Sequence, residues 1–148
     1  MYSMKLEKMD HVGIVIEDLE EVKHFFNTLG LELIGEQNVN GEWINNIYGV
    51  DAVEATIAMM KVHNGETAIE LIKFHNQVET SNQTKYFPKN IGGSHFAFAI
   101  QNIEQVVENL KSTSSNIIGE IIQYEDLYKL CYIKGPEGIF VELAEKLK

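Results

Sequence analysis

Two histidines and two glutamates stand at matching places in a chain that repeats itself. HVGIVIEDLEEV (residues 11–22) aligns without a gap on HFAFAIQNIEQV (residues 95–106), setting His11 on His95, Ile16 on Ile100, Glu20 on Glu104 and Val22 on Val106. Later in each half a glutamate interrupts an apolar run at the same place, Glu70 in AIELI and Glu142 in FVELA. Imidazole nitrogens and carboxylate oxygens bind metal ions and carry protons. A lone histidine among apolar residues is more often a hydrogen-bonded core residue. Two repeat-equivalent His and Glu pairs are a stronger chemical signal, provided the fold sets them on one kind of surface.

The elements needed for that are legible. Residues 10–16 read as a strand. Asp18 then offers a helix N-cap with Glu21 three residues on, and Leu19, Val22, Phe26 and Leu29 recur at helical spacing up to Gly30. The second copy repeats this with a strand at 95–100, a cap at Asn102 with Gln105 three on, and a helix through Val106 and Leu110. Three strands follow each helix: LELIGE, VEATIAMMKV and TAIELIKF in the first half, NIIGEIIQY, LYKLCYIK and IFVELAEK in the second. Asn64-Gly65 and Gly135-Pro136-Glu137-Gly138 supply turns. Each half is therefore β-α-β-β-β. We expect one domain over 1–148, with a first module at 8–75, a polar linker containing Pro88 at 76–91, and a second module at 92–148. The histidines are 84 residues apart (95 − 11) and the glutamates 72 (142 − 70), so the first half holds 12 more residues (84 − 72). These are expected in a loop around NGEWINNIYG.

Strand alternation puts His11, Gly13 and Val15 on one face and Val12, Ile14 and Ile16 on the other. The matching strand divides into His95, Ala97 and Ala99 against Phe96, Phe98 and Ile100. The bulky face is expected under each helix. The small residues leave room beside each histidine, as the floor of a ligand cavity would, although core taper in a closed sheet gives the same pattern.

Composition excludes several classes. A net charge of −10 argues against a nucleic-acid partner and against a polybasic membrane contact. No apolar run approaches the roughly 18 residues of a membrane span, and MYSMKLEKMD carries charges where a signal peptide needs an apolar segment, so the cytoplasm is the expected location. All 12 cations are lysines, which removes the planar guanidinium usually preferred for gripping carboxylates and phosphates. The single cysteine, Cys131, lies in the apolar run YKLCYI and is expected to be a small buried residue rather than a nucleophile. His24, His63 and His75 are expected to be solvated, and the Met59-Met60 pair to fill core. Trp43, Tyr48, Tyr86 and Phe87 are expected in loops that either close over a pocket or pack between the halves.

Taken through DHVGIVIEDLEEV, TAIELIKF, GGSHFAFAIQNIEQV and GPEGIFVELAEK, essentially the whole chain resembles the vicinal oxygen chelate superfamily, which includes glyoxalase I and methylmalonyl-CoA epimerase. The resemblance implies an α+β fold in which two tandem βαβββ modules form an open, curved, eight-stranded mixed sheet or barrel, the glyoxalase/bleomycin resistance/dioxygenase fold. It further implies that the first and fourth strands of each module carry metal ligands, here His11, Glu70, His95 and Glu142. Extradiol dioxygenases and fosfomycin-modifying members use two His and one Glu, and bleomycin-binding members generally lack the set. The His-Glu-His-Glu set is similar to that of bacterial glyoxalase I; the epimerases usually have Gln where Glu70 stands.

Two neutral imidazoles and two carboxylates balance a dication and suit Ni, Co, Zn or Mn, leaving two octahedral positions for substrate oxygens or water. Burying four such groups without a shared partner would be costly. The implied activity is a divalent-metal-dependent lyase, isomerase or epimerase that abstracts a proton next to a carbonyl through a metal-bound enediolate. Glu142 and Glu70 are the catalytic candidates, Glu142 first. The implied partners are a small carbonyl or thioester substrate and a second copy of the chain in a homodimer. The competing readings are an Fe-dependent extradiol-type dioxygenase and a non-catalytic, ligand-sequestering protein of the bleomycin-resistance type.

Overall fold

The alternation at the head of each repeat becomes two short strands, β1 (His11–Val15) and β5 (Phe96–Ile100). The computed structural model describes residues 5–76 and 91–148. A helix follows each strand, α1 (Leu19–Leu29) and α3 (Ile103–Leu110). The remaining strands are β2 (Glu32–Asn40), β3 (Glu54–Lys61) and β4 (Ala68–Phe74), then β6 (Asn116–Tyr124), β7 (Tyr128–Lys134) and β8 (Phe140–Lys146). They form two four-stranded mixed sheets, ordered β1-β4-β3-β2 and β5-β8-β7-β6. In each sheet the first strand runs parallel to the fourth, and the other pairings are antiparallel. This is the expected α+β fold of two tandem modules. Among the described residues no helix is long and apolar enough to cross a membrane.

Three local expectations change. The extra segment of the first half is not all loop, because Glu42–Tyr48 forms a short helix, α2, between β2 and β3. Glycines bracket it: Gly41 at φ 110° precedes it, and Gly49, left-handed at φ 71°, returns its N–H to the Asn45 carbonyl. Seven residues are too few to show a helical period in the sequence. What holds α2 is tertiary packing, with Ile44 buried in a cluster with Val39, Val53, Ala55 and Ile72, and Asn45 Oδ1 accepting the Val53 N–H at 2.7 Å. Asn102 does not cap α3 with its side chain and is left-handed at φ 56°. The Ile103 N–H instead donates to Glu145 Oε1 of β8 at 2.9 Å, which puts a carboxylate at the helix's positive end.

The third change concerns the helices. The described chain divides into two compact units, one holding β1, β2, α2, β3 and β4, the other holding α1 together with β5, α3, β6, β7 and β8. The first-half helix is thus grouped with the second-half sheet rather than with its own strand. Phe25 and Phe26 are both fully buried; adjacent on a helix, they point about 100° apart and need apolar surface on two sides. Phe26 meets Phe96 edge-on at 6.4 Å, and Phe25 fills the space over Gly135. Most of the expected linker, with Tyr86, Phe87 and Pro88, lies outside the described residues.

Gly135 provides a test of this packing. Its φ of −83° suits any residue, but a Cβ there would stand 2.9 Å from the Phe25 ring. Gly135→Ala should therefore cost about 1–3 kcal/mol, read as a lower denaturation midpoint. Gly35→Ala, which meets nothing within 4 Å, should stay within about 0.5 kcal/mol of the parent. Equal midpoints for the two variants would contradict the packing of α1 described here.

Candidate metal centre

In the first unit the parallel register sets Gly13 opposite Glu70. His11, two residues before Gly13, shares its face, and His11 Nε2 lies 3.5 Å from Glu70 Oε2. A Cβ at Gly13 would come only into ordinary contact, with Ile72 Cδ1 at 3.4 Å and Glu70 Oε1 at 3.8 Å. The other imidazole nitrogen is engaged: His11 Nδ1–H donates to Asp10 Oδ2 at 2.7 Å. That bond fixes the tautomer and leaves Nε2, on the Glu70 side, as the free donor atom. It also holds the Asp10 carboxyl below its usual range. His11 stands above the ordinary imidazole value, chiefly through the Asp10 hydrogen bond, with the charge of Glu70 adding to it.

The second unit repeats the pair. Ala97 faces Glu142 across β5 and β8, and His95 Nε2 lies 3.6 Å from Glu142 Oε1. The next residue along that rung is Tyr132, directly opposite Glu142 on β7. Its ring meets the His95 imidazole edge-on at 5.2 Å. Burial, and then the hydrogen bond to Glu142 and its charge, push the phenol above its ordinary range. At the corresponding rung of the first unit, Glu70 faces Met59. The two carboxylates thus have different neighbours, a phenol in one case and a thioether in the other.

Two donors each about 2.1 Å from one ion sit roughly 3 to 3.5 Å apart. Both pairs stand at or just beyond that spacing, so within each unit the His and the Glu fit as two donors to one ion. Among the described residues no three His, Cys, Asp or Glu side chains gather into one cluster able to hold an ion. The groups are also wetter than the sequence suggests: Glu70 and Glu142 are 18% and 28% exposed, and His11 and His95 are 39% and 42% exposed. The metal argument therefore rests on donor type and spacing, not on the cost of burial.

The sequence reading missed Asp10 and Tyr132. Asp10 was readable as the acidic neighbour of a candidate ligand. Tyr132 was reachable by counting back across the Gly135-Pro136-Glu137-Gly138 turn from Glu142. His24, His63 and His75 are exposed, as expected. Met60 is core, whereas Met59 is only half-buried. Trp43 and Tyr48 lie on α2 and not in a loop; Trp43 is exposed, and Tyr48 packs edge-on against Phe74.

The sequence pattern of the Glyoxalase/Bleomycin resistance protein/Dioxygenase superfamily matches residues 10–132. A glyoxalase family protein from Bacillus cereus is similar in structure, with a TM-score of 0.93 and 36% identity over 100% of this chain and 99% of that one. A glyoxalase I mutant from Zea mays gives 0.67 at 20% identity, covering 95% of this chain and 48% of that one. A genomically encoded fosfomycin resistance protein from Listeria monocytogenes gives 0.61 at 13%, covering 95% or less of either chain, namely 94% and 93%. Among curated proteins none matches.

Cys131 has no place in this chemistry. It is buried, and burial pushes its thiol up to about 11, so the nucleophilic thiolate is scarce at neutral pH. A thiol reagent at about pH 8 should label Cys131 only after denaturant unfolds the chain. Stoichiometric labelling of the folded protein within seconds would contradict this assignment.

Proposed function

Because the chain belongs to the Glyoxalase/Bleomycin resistance protein/Dioxygenase superfamily, we propose that it is a divalent-metal-dependent lyase, isomerase or epimerase of the glyoxalase type. His11, Glu70, His95 and Glu142 hold the ion, which is Ni, Co, Zn or Mn by the nitrogen and oxygen character of the set. The observation that carries this reading is the repetition of one donor pair, His Nε2 against a Glu oxygen at 3.5 and 3.6 Å, at equivalent places in the two units. The substrate is a small molecule with an acidic C–H next to a carbonyl or thioester.

The bound ion supplies positive charge for the substrate's vicinal oxygens, where negative charge develops. Glu142 takes the α-proton; the C–H electron pair moves toward the carbonyl, the proton of the adjacent hydroxyl passes to the former carbonyl oxygen, and the protonated carboxyl returns its proton to the former carbonyl carbon, whereas an epimerisation needs a second acid to protonate the original carbon from its opposite face. Tyr132, hydrogen-bonded to Glu142, sets the orientation of that carboxylate. Asp10 holds the His11 ring. Glu70, facing a thioether, serves as ligand rather than base. The chain acts as a homodimer, which sedimentation at micromolar concentration reads directly; the ordering of each four-stranded sheet leaves two edge strands that favour pairing.

His11→Ala and His95→Ala should each lower metal affinity by about 10- to 100-fold or more while the protein stays folded, because both side chains are partly exposed and outside the packed cores. Competition with a chelator measures this; undiminished affinity in either variant would remove the four-ligand site. Glu142→Gln and Glu70→Gln both keep an oxygen donor of the same size. With both variants fully metallated, Glu142→Gln should lose turnover and solvent deuterium exchange at the substrate α-carbon, and Glu70→Gln should retain more of each. The reverse ranking would move the base to Glu70.

A further inference from the structure

The second unit differs from the first in one feature beside Glu142. Strands β6 and β7 pair in register through Ile118↔Tyr132 and resume at Ile122↔Leu130. Between those rungs β6 advances four residues and β7 two (122 − 118 against 132 − 130), which leaves a bulge of two residues containing Gly119 at φ 69°. Gly35 is the repeat counterpart of Gly119, 84 residues earlier (119 − 35). The register break there spans one surplus residue, between Leu33↔Met60 and Gly35↔Met59. The wider bulge borders a cavity of about 440 Å³.

Ile118, Ile122 and Leu130 give that cavity an apolar wall, and Gly119, Glu120, Cys131, Tyr132 and Glu142 complete its lining. Among the described residues no lysine lines it, and Lys129, next to Leu130, is tied to Glu104 at 2.7 Å. An anionic group there would lie beside the Glu120 and Glu142 carboxylates, the charge of the proposed ion being taken up by its ligands and the paired oxygens of the substrate, whereas an apolar group would cover three aliphatic side chains. We propose that the bulge cavity receives the uncharged alkyl or aryl side chain of the substrate, carried on or next to the carbon whose proton Glu142 removes. The assignment rests on the function proposed above, and it names an uncharged, apolar-substituted carbonyl compound as the substrate class. Any charged carrier attached to the substrate stays outside this cavity.

Hydroxamic acids chelate divalent metals through paired oxygens and serve as probes. On the Ni-loaded protein, calorimetry should find hexanohydroxamic acid about tenfold or more tighter than adipic monohydroxamic acid, which has the same length and a terminal carboxylate. Ile122 is half-exposed, at 51%, so Ile122→Glu can fold. It should erase the preference for the alkyl chain and leave acetohydroxamic acid, too short to fill the cavity, bound as before. Equal affinities for the two long probes, or an unchanged preference in Ile122→Glu, would overturn the proposal while leaving metal binding intact. If the chain takes up no metal, the proposed function fails but the cavity is still tested. Hexanohydroxamic acid should then shift the amide resonances of residues 118–122 and 130–132 in the metal-free protein, and adipic monohydroxamic acid should not. Absence of those shifts would overturn the cavity assignment on its own.

Discussion

Parallel pairing of β1 with β4, and of β5 with β8, joins segments that are distant in sequence: His11 and Glu70 are 59 residues apart (70 − 11), and His95 and Glu142 are 47 (142 − 95). Parallel neighbours cannot be joined by a tight turn and need a long crossover. Here a helix and a β-hairpin provide it. The register then decides the chemistry, because a residue and its parallel partner share a face. With Gly13 opposite Glu70 and Ala97 opposite Glu142, each histidine two residues upstream falls beside its glutamate. A slip of one residue would turn every donor to the opposite face. The bulky residues on the other faces of β1 and β5, half-buried where the donor faces are exposed, oppose that slip.

On this shared scaffold the two pairs diverge through their cross-strand neighbours. Asp10 anchors His11 in the first unit, and the corresponding position before His95 is Ser94. Tyr132 and a two-residue bulge flank Glu142, where Met59 and a narrower bulge flank Glu70. Identical donor types therefore sit in unlike surroundings. One carboxylate faces a thioether, and the other adjoins a phenol and a cavity. That difference is the physical basis for giving them different roles.

The strands, the two long helices and the four candidate ligands were legible because they rest on local alternation, helical spacing and an internal repeat. What the sequence hid depends on tertiary partners. Helix α2 exists because Ile44 finds a buried cluster and Asn45 bonds Val53. The start of α3 is satisfied by Glu145, 42 residues away (145 − 103), so Asn102 is free of the capping role its type suggests. The grouping of α1 with the second sheet follows from two adjacent phenylalanines that both require burial. Tyr132 enters the site only through hairpin register. A periodicity argument sees none of these, since each is set by a partner far along the chain.

The central claim is that the two His and Glu pairs together hold one ion. X-ray absorption on the chain loaded with Ni or Zn to saturation measures this most directly. The account predicts one ion per chain with two imidazole nitrogens and otherwise oxygen donors, and no sulfur. Two ions per chain with one imidazole each, or an ion bound without either imidazole, would contradict it.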